Sequence, residues 1–73
     1  MSDLNSLEAR VTALEETVGA LTMLAIRQMQ PERRQQFAEG IGAMAQAAEK
    51  AGRQASAQLL TQLHGAAAMA ALP

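Results

Sequence analysis

A chain of 73 residues carrying six Lys and Arg against seven Asp and Glu is large enough for one domain at most, and its net charge of −1 excludes the strong basic bias of a generic phosphate binder. It has no Cys, which excludes disulfide staples, thiol redox chemistry and thiolate metal sites together. Seventeen Ala, one Phe, no Trp and no Tyr argue for helix and against sheet, so the expected class is all-α. The longest apolar run near the start, "ALTMLAI" at 20–26, falls far short of the ~20 apolar residues that cross a bilayer. The opening "MSDLNSLE" is acidic where a secretory signal is basic. The expected location is cytoplasmic, with no membrane partner.

The first element is a helix over about 3–29. Leu4, Leu7, Val11, Leu14, Val18, Leu21 and Ala25 are separated by 3, 4, 3, 4, 3 and 4 residues, a strict heptad in which Val11 and Val18 fall at a and Leu7, Leu14 and Leu21 at d. β-branched residues at a with Leu at d favour a parallel two-stranded coiled coil. In that pairing Arg10 at g attracts the second copy's Glu15 at e, whereas Asp3 at g repels Glu8 at e. Ser2 or Asp3 is placed to cap the first turn. Met23, Leu24 and Ile26 lie off the seam, so residues 20–26 are expected to meet a second helix of the same chain.

Pro31 lacks a backbone donor and drives Gln30 out of helical angles, yet suits the first turn of a new helix. A break at Met29–Gln30 is therefore expected, the alternative being one long helix kinked at Pro31. The second helix is expected over about 31–71. At 100° per residue Phe37, Ile41, Met44, Ala48, Ala51, Gly52, Ala55, Leu59, Leu63, Ala66 and Ala70 share a stripe about 100° wide, with Glu39, Gln46, Lys50, Arg53 and His64 opposite. The stripe is thick at its ends and slimmed to methyl groups and a glycine in "AMAQAAEKAGRQASA", 43–57. Such a waist admits a bulky side chain or a second waist. Two copies crossing antiparallel near Ala51 and Gly52 would set Met44 against Leu59 and Ile41 against Leu63; Leu14 and Leu21 folding down from helix 1 are the other candidates. The helix is expected to run through Gly40 and Gly42, while Gly65 could end it or not.

Helices of about 26 and 40 residues are about 39 and 60 Å long, so a simple hairpin leaves much of the second unmated. The expectation is a single helical domain over 1–73, a heptad helix (1–29) and an alanine-rich amphipathic helix (31–73) forming a two-helix hairpin. That hairpin would associate as a homodimeric four-helix or coiled-coil assembly. Its interface would draw on Leu4, Leu7, Val11, Leu14, Val18, Leu21, Ile41, Met44, Ala48, Ala51, Gly52, Ala55, Leu59 and Leu63.

Chemistry-bearing residues are sparse. His64 has Leu60, Thr61, Ala67 and Ala68 as its helical neighbours and reads as a solvated polar-face residue. Ser2, Ser6 and Ser56 have no base nearby, and Glu15 and Glu16 point about 100° apart. No catalytic residue, cofactor site or metal site is expected, and the chain is not read as an enzyme. Arg27, Arg33 and Arg34 cluster at the bend beside Phe37, where they could grip an acidic protein surface or phosphates. Met1, Met23, Met29, Met44 and Met69 could supply adaptable apolar surface. The favoured function is a small helical homodimer that binds another protein as adaptor, inhibitor or assembly factor. The second reading is a dimeric helical-hairpin nucleic-acid regulator using Arg27, Arg33, Arg34, Lys50 and Arg53, and the third is a structural oligomerisation segment.

Overall fold

The structure, a computed structural model, describes residues 2–72, and side chains from Asp3 to Leu72. Met1 as adaptable apolar surface and Ser2 as a capping side chain fall outside the described residues. The described residues form three α-helices and no strand: α1 over Ser2–Arg27, α2 over Pro31–Lys50 and α3 over Gln54–Ala70.

The first break lies where Pro31 demands it. The Gln28 and Met29 amides turn back to the Ala25 and Ile26 carbonyls at 3.1 and 3.0 Å, tightening the last turn of α1. Gln30 is then extended, at φ −68° and ψ 152°, as the residue before a proline must be, and its carbonyl accepts from the Arg33 and Arg34 amides at 2.9 and 3.1 Å to start α2. Two helices, and not one kinked helix, meet here.

The expected 31–71 helix is overturned by a second break, so the chain is a three-helix fold and not a two-helix hairpin. Gly52 stands at φ +77°, in the left-handed region that glycine enters without a Cβ penalty. The Arg53 amide reaches back to the Ala48 carbonyl at 2.9 Å and the Gly52 amide to Glu49 at 3.0 Å, the pair of bonds of a Schellman C-cap. Lys50 in the last turn of α2 complements the helix dipole there. Gly40, Gly42 and Gly65 all stay helical.

The turn at Ala51–Arg53 folds α3 antiparallel onto α2. Ala38, Ile41, Ala45 and Ala48 are the buried residues of α2, spaced 3, 4 and 3; α3 supplies Ala57 and Ala67, with Leu60, Leu63 and Ala70 half-buried. Methyl-sized side chains let the two axes close on each other. Ala45 thus takes the place expected for Met44, which is 59% exposed. The reason is the break: once the chain reverses at Gly52, α3 becomes the mate of α2, and the face of α2 that it covers is the one through Ala38, Ile41, Ala45 and Ala48.

At the open end of this α2–α3 hairpin, Ile26 of α1 is fully buried against Ala38, Ile41 and Ala67, with Phe37, Leu60, Leu63 and Ala70 around them. Residues 20–26 thus meet the rest of the chain, with Ile26 fully buried and Thr22, Met23 and Ala25 half-buried. α1 otherwise packs on α3 and barely touches α2, so α3 lies in the middle. Val11, Leu14 and Val18 flank Ala55 and Leu59, and Ile26 lies against Ala67, so α1 and α3 run parallel. The result is a slab of 47 × 27 × 13 Å.

Candidate self-association surface

The heptad of α1 folds as expected, and almost none of it is covered. Leu4, Leu7, Val11, Leu14, Val18 and Leu21 are exposed by between 38% (Val18) and 64% (Leu14). Val11, Leu14 and Val18 form one wall of a shallow open groove of about 300 Å³ whose other wall is Ala55, Ser56 and Leu59 of α3, with Glu15 at its rim. Leu4 and Leu7 continue the same seam N-terminal to the groove. Contiguous apolar surface of this kind on a small chain makes the seam a candidate interaction surface.

The flanks of the seam suit contact with another helix. Thr17 and Thr22 occupy g and e positions, and each hydroxyl donates to its own helix, to the Ala13 carbonyl at 2.7 Å and the Val18 carbonyl at 2.8 Å. Their hydroxyl donors are satisfied within their own helix. The charged flanking residues are Asp3, Glu8, Arg10 and Glu15, all exposed.

The amount of surface left over is large. A folded monomer of 7.7 kDa has an accessible surface of about 4,300 Å², whereas this chain exposes 5,760 Å², an excess of about 1,400 Å². The radius of gyration is 14.0 Å against about 11 Å for a compact chain of this length.

The other interface candidates divide. Ile41 and Ala48 are buried within the chain, Leu59 and Leu63 are half-buried, and Met44, Ala51, Gly52 and Ala55 are exposed. The antiparallel pairing expected between two copies about Ala51 and Gly52 is made inside one chain, by α2 and α3.

At the elbow between α1 and α2 the arginines have separate fates. Arg34 is half-buried and its guanidinium donates through Nε to the Met29 carbonyl at 3.0 Å and through Nη2 to the Arg27 carbonyl at 3.4 Å. It satisfies carbonyls that the end of α1 leaves free. Arg27 and Arg33 are exposed, and Arg33 borders a groove with Met29, Gln36 and Phe37. Phe37 is half-buried against the core. Lys50 and Arg53 lie at the far end of α2, a helix of about 30 Å, so the basic residues do not line up as one stripe.

His64 departs from its expected place on the solvated face. It is half-buried between α2 and α3, its ring lying over Gly42: a Cβ built there would stand 3.0 Å from Cδ2 and Nε2. Glu39, Glu49 and Thr61 line the same cleft. Among the described residues no three His, Asp or Glu converge as a metal site, and no helix is long and apolar enough to cross a membrane. No family model, curated protein or solved structure matches the chain.

Proposed function

We propose that the chain is a non-enzymatic helical homodimer that holds another protein as an adaptor, inhibitor or assembly factor, the α1 seam serving self-association. The observation that carries this reading is the uncovered heptad. Six Leu and Val side chains in strict register stand in water, and each contributes on the order of 1.5–3 kcal/mol when fully withdrawn from it. The excess surface of about 1,400 Å² exceeds the roughly 800 Å² per partner of a standard stable interface. A second copy presents the identical seam, so one surface solves the problem for both chains.

The exposed guanidiniums of Arg27 and Arg33 are the edge offered to an acidic second protein, since paired hydrogen bonding to carboxylates is what that group does best. Arg34, occupied at the elbow, is left out of that edge.

Sedimentation of three proteins tests the assignment. The wild type is expected to be a dimer at micromolar concentration. Leu14→Glu, which puts a carboxylate on the seam, should sediment as a monomer that keeps the far-ultraviolet helical signal of α2 and α3. Arg27→Glu/Arg33→Glu should remain a dimer and lose whatever protein the wild type captures. A wild-type monomer across the micromolar range, or a Leu14→Glu variant that still dimerises, overturns the proposal.

A further inference from the structure

Resting on that reading, we infer that the site's occupant is a second copy running parallel and in register. Its α1 seats in the groove between α1 and α3, so that α1, α3 and their two counterparts form one core of four helices pointing the same way. α2 and its counterpart lie on the flanks.

Charge decides the orientation. In the parallel pairing Arg10 of each chain faces the other copy's Glu15, giving two attractive contacts, while the repulsive Asp3–Glu8 pairs sit at the start of the helix, away from the middle of the seam. In the antiparallel pairing the seam layers match Leu7 with Val18 and Val11 with Leu14, and e positions then face e positions. Glu8 meets the second copy's Glu15 twice, in the middle of the seam, and Arg10 meets only Thr17. The uncharged flank at Thr17 and Thr22 fits the parallel arrangement too, because those two residues then face each other with both hydroxyls already bonded within their own helices.

The groove supplies the second argument. Its α3 wall is built of Ala55, Ser56 and Leu59, small near the turn, and its α1 wall is the seam itself. A helix seated on the seam therefore also touches α3, and the small residues allow it to come close. Because α1 and α3 are parallel within a chain, a parallel second α1 keeps one direction throughout. The exposed Ala55 and Ser56 receive the second copy's Val and Leu side chains.

Single cysteines introduced into this cysteine-free chain read the orientation directly. Disulfide formation needs Cα atoms within about 7 Å. In a parallel dimer two copies of residue 7 face each other; in the antiparallel one they stand about 16 Å apart. Under mild oxidation Leu7→Cys is expected to convert nearly completely to covalent dimer. An equal mixture of Leu7→Cys and Val18→Cys should give the two covalent homodimers and little mixed dimer. A dominant mixed dimer, or a protein that sediments as a dimer yet leaves Leu7→Cys unlinked, overturns the parallel register and leaves the homodimer standing. A protein that sediments as a monomer removes both.

Discussion

The two halves of this chain solve the same problem with opposite materials. α1 carries large apolar side chains at strict heptad spacing and leaves them in water, while α2 and α3 carry mostly methyl groups and bury them. Burial within the chain therefore follows the geometry of the available mate and not the size of the apolar group. Alanine faces fit each other once Gly52 reverses the chain, because small residues bring two helix axes together and every methyl finds close neighbours. Leucines at a and d need a knobs-into-holes mate of equal length, and neither α2 nor α3 supplies one.

Removing the most deeply buried contact between the two halves should have the largest effect. Ile26 is the one large side chain that is fully buried among the described residues. Ile26→Ala should cost about 2–5 kcal/mol, the range for Ile or Leu truncation in a core that collapses only partly. Urea unfolding at a fixed protein concentration measures it, since dimerisation makes any midpoint depend on concentration. The comparison sharpens if the transition splits, the α2–α3 hairpin melting apart from the α1 seam; a loss below about 1 kcal/mol would show that α1 docks by other means.

Next comes the turn that gives the alanine faces each other. Gly52→Ala forces a Cβ into the left-handed region, at a cost of roughly 1–2 kcal/mol. Because the seam residues themselves lie on α1, outside that turn, the variant should unfold earlier and still sediment as a dimer. If it dimerises through a straightened helix spanning α2 and α3, the hairpin and the seam are not independent solutions.

The sequence spoke clearly where one rule acted alone. The heptad of α1 and the proline at 31 gave a helix and a break that the structure repeats at Arg27–Pro31. The turn at Ala51–Arg53 was masked because an apolar periodicity near 3.67 runs on through it, so the stripe from Phe37 to Ala70 looked continuous. The signal was present in "EKAGRQ": a lysine in a last turn followed by a glycine is a helix stop. Arg34 joined a basic cluster in the sequence and turned out to cap carbonyls, because its task depends on where the elbow points them. His64 could not be placed without the turn, since only the antiparallel fold brings it over Gly42.

That last juxtaposition gives the smallest effect and the finest test of how α2 and α3 fit. Gly40 and Gly42 sit two residues apart in one helix and carry the same backbone cost, about 1 kcal/mol relative to Ala. A Cβ at Gly40 meets nothing within 4 Å, so Gly40→Ala should stabilise by about that amount. A Cβ at Gly42 stands 3.0 Å from the His64 ring, tight enough that the imidazole must move, and the ring is held between two helices. Gly42→Ala should therefore gain less than Gly40→Ala or turn destabilising. Adding His64→Ala removes the obstruction, so Gly42→Ala measured in that background should recover the full helical gain. The difference between the two backgrounds is a coupling energy that Gly40→Ala, in the same cycle, should lack. Equal gains at both glycines in the wild-type background would mean that the ring is free to leave, and that the alanine faces close on each other less tightly than their burial implies.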